Sequence, residues 1–279
     1  MASSEAIAIE RIGRADIGAA LALSAAAGWN QNAADWAFFV DAGETVGLRD
    51  DEGTLVATAA ALPYDARVGW ISMVLVDAAH RHRGIASRLV ERCVASLRAG
   101  GRTPVLDATP AGAAVYAGSG FVEGFAFERW ERAAAPAPPY RGSAATAIDA
   151  APQVALDRDA AGVERASLWR TVLARPGTRV WQAPAGDGFV LRRAGRRATQ
   201  VGPIVAADAD AALDLLAAAL GSIEGAVFID VPVRCTPVVD ELARRGFVRQ
   251  RSFVRMALGD ARAAAARDRV FALAGPEFG

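Results

Sequence analysis

The chain of 279 residues is long enough for two ordinary domains, and 53% of its residues are hydrophobic against 22% charged. This balance is typical of a globular protein with a large core and argues against a disordered chain. The formal net charge is +0, so no global field would attract nucleic acid or an anionic membrane surface. We therefore expect neither partner.

Residue usage excludes further classes. All 31 basic residues are arginine, which disfavours P-loop nucleotide hydrolysis and pyridoxal-phosphate chemistry, because both need a lysine amine. The two cysteines, Cys93 and Cys235, fit neither a disulfide framework nor a set of metal ligands, so we expect buried thiols and no metal. The sequence predicts no signal peptide and no long apolar span, and we expect a cytoplasmic protein.

The first half of the chain alternates between strand and helix patterns. Segments with the apolar pattern of strands lie at 7–11, 44–49, 54–62, 67–76, 103–107 and 121–132. Helix signals mark 15–28, 33–40, 85–99 and 109–120. The three consecutive strands between 44 and 76 predict an antiparallel meander that leads into a buried central strand.

A basic glycine turn, Arg81-x-x-Gly84-x-Ala86, joins this central strand to an amphipathic helix. The N-terminus of a helix exposes unpaired N–H groups and a positive dipole, which favour an anion. Gly84 and Ala86 would let a diphosphate approach the backbone, and Arg81 and Arg83 add charge. For this pattern alone, a turn that only connects strand and helix is the alternative.

A stretch rich in Pro, Ala and Gly at 133–146 predicts a linker. We place one domain at 1–135, the linker at 136–149 and a second domain at 150–279. In the second half we expect helices at 159–174 and 208–220 and strands at 178–182, 188–193, 197–205 and 226–231.

The end of the second half repeats the end of the first. Thr236-Pro237, a helix, Gly246-Phe247 and a strand match Thr109-Pro110 through Gly120-Phe121, and FVEGFAFERW and FVRQRSFVRM agree at four of ten columns. This predicts tandem duplication, although two common helix caps used twice are the alternative. The counterpart of the basic turn, 206–210, holds two carboxylates and no glycine, so we expect no coenzyme in the second half.

Two motifs resemble the GNAT superfamily of N-acyltransferases. The turn from Arg81 to Ala86 resembles the acyl-CoA pyrophosphate loop of that family, and Tyr116 precedes Phe121 by the five residues typical of its tyrosine helix. Many members carry asparagine where this chain has Thr109. The whole chain resembles two-domain members, which implies an α/β (α+β) fold: two GNAT-like mixed-sheet domains in tandem, with helices packed on a central, mostly antiparallel sheet.

The resemblance implies an acetyl-CoA-dependent N-acetyltransferase in which the amine attacks directly in a ternary complex. A backbone N–H of Leu75 or Val76 would receive the acyl carbonyl, and Tyr116 would act as the catalytic residue that protonates the departing thiolate. The residues implied to bind coenzyme are Met73, Val74, Leu75, Val76, Arg81, His82, Arg83, Gly84, Ile85, Ala86, Ser87 and Thr109.

The acceptor would be a small-molecule amine. Trp29, Asn30, Gln31 and Trp36 fall where the family places its acceptor site, and aromatic and amide groups suit an amine, although a hydrophobic staple with capping amides is equally open. Asp107 is a further acceptor-site residue and, with Asp35, a candidate base.

We expect a monomer or homodimer. A coenzyme-binding sensor without catalysis is the alternative function, and a structural pseudo-dimer is a third.

Overall fold

A computed structural model describes residues 8–142, 145–146, 151–265 and 267–279. The chain forms two compact units, one ending at Pro104 and the other beginning at Val105. Within the described ranges, no helix combines the length and the apolar character needed to cross a membrane.

The first unit contains the predicted antiparallel meander. Its strands are β1 (Ile9–Arg11), β2 (Glu44–Arg49), β3 (Leu55–Leu62) and β4 (Val68–Val76), and each pairs antiparallel with the next. Every residue of β3 is buried, which explains its unbroken apolar composition.

The helices of the first unit are α1 (Ile17–Ala26), α2 (Ala33–Ala42) and α3 (Ile85–Ala99), with short 3-10 helices at Arg14–Asp16 and Ala78–His80. Helix α3 has the predicted amphipathic pattern and packs against β3 and β4. Its buried positions are Ile85, Leu89, Val90, Cys93 and Leu97.

The second unit holds most of β5 (Thr103–Ala108) and all later strands. These are β6 (Val122–Arg132), β7 (Ala145–Thr146), β8 (Arg179–Gln182), β9 (Phe189–Arg193), β10 (Thr199–Val205), β11 (Val227–Pro232), β12 (Val248–Ala257) and β13 (Val270–Ala272). The strand order is β5-β12-β6-β11-β10-β9-β8-β7, and β13 also pairs with β10. β10 and β11 are parallel, whereas the other neighbours in this order, and β13 with β10, are antiparallel, so the predicted mixed, mostly antiparallel sheet is confirmed.

The helices of the second unit are α4 (Pro110–Gly118), α5 (Ala151–Ala161), α6 (Ala166–Leu173), α7 (Ala209–Leu220) and α8 (Thr236–Arg244), with a 3-10 helix at Ala261–Ala264. The single helix predicted at 159–174 is wrong, because Gly162 adopts a left-handed φ of 72° just after the end of α5. Thr236 is the first residue of α8, and Cys235 rather than a threonine occupies the N-cap.

The two repeated segments, β5-α4-β6 and β11-α8-β12, exchange their last strands. β12 pairs with β5, β6 pairs with β11, and β6 and β12 pair antiparallel with each other. Phe127 and Phe253, a shared column of the repeat, lie opposite each other, with stacked rings whose centroids are 5.0 Å apart. The exchange therefore has an approximate two-fold symmetry centred on this aromatic pair.

Arg129 and Arg255, which are also identical in the alignment of the two repeats, follow the same symmetry. Arg129 lies opposite Asp230 and donates to its two carboxylate oxygens at 2.8 and 2.7 Å. Arg255 lies opposite Asp107 and donates to both oxygens at 2.9 Å. Each repeat thus supplies an arginine to the buried aspartate of the other.

The domain limits predicted from sequence, 1–135 and 150–279, stay a prediction. They concern duplicated sequence, whereas the compact units are defined by contacts, and the exchanged strands place β6 among contacts of the second repeat. Within the predicted linker, residues 136–142 form neither helix nor strand, whereas Ala145–Thr146 form β7, which pairs antiparallel with β8.

Two glycine substitutions should change stability in opposite directions. A Cβ at Gly69 of β4 would overlap the side chain of Leu97 in α3, so Gly69→Ala should lower the free energy of unfolding by about 1–3 kcal/mol. Gly18 of α1 has open space around its Cβ position, so Gly18→Ala should raise it by about 0.5–1 kcal/mol. Urea unfolding measures both, and equal effects would contradict the packing of α3 on β4.

Candidate active site

Strand β4 carries a bulge near its end. The β3–β4 register passes from Ser72 opposite Ala60 to Leu75 opposite Thr58, so Met73 and Val74 oppose a single residue. Met73 has a φ of 53°, a left-handed conformation that is uncommon for a methionine. The hydroxyl of Thr58 donates to the Met73 carbonyl oxygen at 2.9 Å and stabilises the bulge.

The ladder beyond the bulge fixes which backbone groups face away from β3. The Asp77 N–H donates to the Val56 carbonyl oxygen at 2.8 Å. Hydrogen-bonded pairs alternate along an antiparallel ladder, so the backbone of Leu75 also faces β3 and that of Val76 faces the opposite edge. The Arg81 Nε bonds the Val76 carbonyl oxygen at 3.2 Å, consistent with this direction. Of the two expected carbonyl-binding donors, the geometry favours Val76.

The basic turn is exposed and held by its own polar contacts. Asp77 caps the 3-10 helix by accepting from the Ala79 N–H at 2.9 Å, and this bond, with His80 beside it, holds the pKa of the Asp77 carboxyl below its usual value. The Arg83 guanidinium bonds the Ala79 carbonyl oxygen at 3.3 Å. Residues 81–84 are all exposed.

Gly84 is the N-cap of α3 and leaves its first turn open. It has a left-handed φ of 73°, forms no side-chain cap, and nothing lies within 4 Å of the position where a Cβ would sit. The first N–H groups of α3 therefore face an uncrowded, arginine-flanked surface, where a diphosphate would fit.

The proposed acceptor residues separate into two groups. Trp36 is fully buried, and its indole N–H donates to the Ser24 hydroxyl at 3.1 Å, so its assignment to the acceptor site is corrected to the core between α1 and α2. Asp35 forms a capping box with Asn32, each side chain bonding the backbone N–H of the other at 3.0 Å, so it is not placed as a base.

Two buried oxygens of the first unit stand out. Asn30 and Gln31 are 2% and 3% exposed, and Trp29 is half-buried. Among the described residues, Gln31 Oε1 and Ser72 Oγ are buried without a hydrogen-bond partner, which is costly unless a ligand satisfies them. Sequence reasoning missed Ser72, because it lies within an apolar strand pattern.

Helix α4 positions Tyr116 in the second unit. Thr109 is its N-cap and accepts from the Gly112 N–H at 3.4 Å, which confirms the predicted helix start. The half-buried Tyr116 ring lies 6.0 Å from that of Phe121, whose N–H donates to the Tyr116 carbonyl oxygen at 3.1 Å. A Cβ at Gly112 would approach this ring to 3.2 Å, so the glycine, which sequence reasoning missed, leaves room for it.

Asp107 does not occupy an open acceptor site. Its side chain is 0% exposed, and Arg255 bonds both carboxylate oxygens. Burial raises the pKa of this carboxyl, and the Arg255 guanidinium opposes the rise. The sequence-based assignment of Asp107 to substrate binding is therefore corrected to a buried structural ion pair.

The second repeat has the same bulged strand, but its opening is filled. β10 is irregular between Val201 and Ile204, and it pairs with β11 only over Thr199–Val201. Beyond that point β13 pairs with β10 at Ile204 and Val205, while the Leu273 N–H donates to the Asp230 carbonyl oxygen of β11 at 2.8 Å. β13 thus lies between the diverging ends of β10 and β11.

The second repeat also lacks counterparts of Tyr116 and Gly84. Leu242 stands at the position of Tyr116, five residues before Phe247, and is fully buried. Asp208 caps α7 by accepting from the Ala211 N–H at 2.9 Å, where the first repeat has Gly84. These differences agree with the expectation that the second repeat binds no coenzyme, which stays a prediction.

Neither cysteine is placed as a nucleophile. Burial raises the pKa of Cys93 to about 12 and also raises that of Cys235, so both thiols are protonated at neutral pH. No group of three or more His, Cys, Asp or Glu side chains that could hold a metal occurs among the described residues.

Both halves match models of known families. The acetyltransferase (GNAT) family matches residues 22–121, and an acetyltransferase (GNAT) domain matches residues 154–272. No curated protein matches the chain.

Solved structures share the fold. A candidate acetyltransferase from Pyrococcus horikoshii has a TM-score of 0.83 at 20% identity, covering 100% of this chain and 98% of its own. A tandem GNAT protein from the clavulanic acid biosynthesis pathway has a TM-score of 0.60 at 18% identity, covering 90% and 98%. A GCN5-related N-acetyltransferase from Sphaerobacter thermophilus has a TM-score of 0.61 at 14% identity, covering 91% and 95%.

With one GNAT match in each half and this fold throughout, the chain belongs to the GNAT superfamily as a tandem member.

Proposed function

We propose that the protein is an N-acetyltransferase that moves the acetyl group of acetyl-CoA to the amine of a small molecule. The observation that carries this proposal is the bulged end of β4 leading into an exposed basic turn with Gly84 at the start of α3. We infer that only the first repeat binds coenzyme and transfers the acetyl group, because β13 fills the equivalent opening of the second. We expect a cytoplasmic monomer or homodimer.

The basic turn would bind the coenzyme. The pyrophosphate of the coenzyme would accept hydrogen bonds from the first N–H groups of α3, and Arg81 and Arg83 would supply positive charge. The bulge at Met73 redirects the last residues of β4, and we propose that the arm of the coenzyme runs along the side of Val76 that faces away from β3.

The chemistry would be direct attack of the amine on the thioester. The C–N bond forms and the C–S bond breaks, while the Val76 N–H donates to the oxyanion and Tyr116 gives its hydroxyl proton to the departing thiolate. The protonated cysteines support a route without an acyl-enzyme. The attacking amine must first lose a proton, and because Asp107 and Asp35 are engaged internally, we assign its removal to water.

The acceptor would contact the polar groups of the first unit. Gln31 and Ser72 carry buried oxygens without a partner among the described residues, and both would accept hydrogen bonds from an ammonium or amine. Trp29, which is half-buried and lies two residues before Gln31, adds an aromatic surface suited to a cation.

A charge at Gly84 tests the coenzyme site. Aspartate and asparagine both tolerate a left-handed φ at a helix N-cap, so Gly84→Asp and Gly84→Asn should fold alike. The aspartate would repel the pyrophosphate, and we expect it to weaken acetyl-CoA binding by about tenfold or more relative to the asparagine, measured by calorimetry. Equal affinity in the two variants would place the pyrophosphate elsewhere.

The filled opening of the second repeat predicts how many coenzyme molecules each chain binds. Because β13 lies between β10 and β11, each chain should bind one coenzyme. Titration calorimetry with acetyl-CoA should give one site per chain, and the Gly84→Asp variant should weaken binding at that site without revealing another. A second site of similar affinity would show that β13 leaves its position.

The loss of the Tyr116 hydroxyl tests catalysis. Tyr116→Phe keeps the ring contact with Phe121, so it should leave acetyl-CoA affinity within about twofold and lower kcat by about a hundredfold. CoA release with a panel of small amines measures the rate, and Tyr64→Phe is the control. Coenzyme binding without release for any amine would instead favour a sensor.

A further inference from the structure

We infer that Arg255, supplied by the last strand of the second repeat, is a positioning residue that fixes Tyr116 for acetyl transfer in the first. The inference rests on the proposed function only in the role given to Tyr116. It assigns the second repeat a part in catalysis although its own coenzyme opening is filled.

The Asp107–Arg255 pair ties β5 to β12. Arg255 Nε and Nη2 donate to Oδ1 and Oδ2 of Asp107, both at 2.9 Å, in the two-pronged geometry that fixes direction as well as distance. The Arg255 and Asp107 side chains are 12% and 0% exposed, and the guanidinium lies 5.0 Å from the centre of the Phe125 ring. Water therefore competes little for this pair.

The connection from this pair to Tyr116 is short. Only Ala108 and Thr109 separate Asp107 from Pro110, the first residue of α4, and Ala108 also pairs with β12, opposite Val254. Thr109 caps the helix, so the chain has no free length between the ion pair and the first turn. Helix α4 also packs against β12. A change in the β5–β12 register would therefore move the tyrosine.

The symmetric pair provides a natural comparison. Arg129 binds Asp230 in the same geometry and at a similar depth, and Gln200 adds a bond to the carboxylate at 2.9 Å. Five residues separate Asp230 from the start of α8, and the position of the tyrosine is taken by Leu242. Removing the charges of the Arg129–Asp230 pair should therefore leave the position of Tyr116 unchanged.

The experiment compares two double variants of the full chain, Asp107→Asn with Arg255→Gln and Asp230→Asn with Arg129→Gln. Removing both charges avoids leaving one of them buried and unpaired, which would endanger folding. Both proteins are assayed at a temperature where circular dichroism shows each to be folded. Arg255→Lys, which keeps the charge but loses the two-pronged contact, should be intermediate.

The position of Tyr116 is read without catalysis. The chain has three tyrosines, so 3-fluorotyrosine labelling gives three fluorine NMR signals, and the one lost in Tyr116→Phe is that of Tyr116. We expect the Asp107/Arg255 variant to shift or broaden this signal and the Asp230/Arg129 variant to leave it unchanged. An unchanged Tyr116 signal in the first variant would overturn the inference.

The kinetic readout uses acetyl-CoA and the best amine of the panel. In the Asp107/Arg255 variant, kcat should fall by about tenfold to a hundredfold while acetyl-CoA affinity stays within about twofold. The Asp230/Arg129 variant should keep both. Equal losses of kcat in the two variants would mean a general structural effect and overturn the inference. A wild-type chain inactive with every amine would refute the proposed function, while the fluorine signal would still decide the role of Arg255.

Discussion

The exchange of β6 and β12 between the two repeats is the constraint on which the second unit depends. Each exchanged strand brings an arginine to a buried aspartate of the other repeat, at Asp107 and at Asp230. Removing one partner of such a pair would leave a buried charge, which costs about 3–5 kcal/mol. The pairs therefore favour this register over any slipped one, since a slip of one residue would turn both arginines to the opposite face of the sheet.

The duplication has produced unequal halves. The first repeat keeps Gly84, an exposed basic turn and Tyr116, whereas the second has an acidic helix cap at Asp208 and Leu242 in place of the tyrosine. The same bulge near the strand end serves two purposes: in the first repeat it redirects β4, and in the second it opens a gap that β13 closes with backbone hydrogen bonds. Because β13 closes the gap between β10 and β11, we infer that the second repeat contributes through β12, which pairs with β5 of the first repeat.

Much of this arrangement could be predicted from local sequence, because periodicity and caps are local properties. The meander, the amphipathic α3, the Thr109 cap and the basic turn all follow from residues close in the chain. The strand exchange could not be predicted, since a duplicated strand fits either repeat equally well and only long-range pairing decides. The roles expected for Trp36 and Asp107 failed for a related reason: their partners, Ser24 and Arg255, lie 12 and 148 residues away. The left-handed φ of Met73 could not be predicted either, because the residue lies within a continuous apolar segment.

The exchanged strands also govern how the chain can fold as it is made. β5 pairs with β12, whose Arg255 lies 148 residues after Asp107, so this edge of β5 stays uncovered until β12 has left the ribosome. Such non-local pairing slows folding and leaves a sheet edge open to wrong partners, including the β12 strand of another copy. The part of the sheet formed by β5, β12, β6 and β11 is therefore complete only after both repeats have been made.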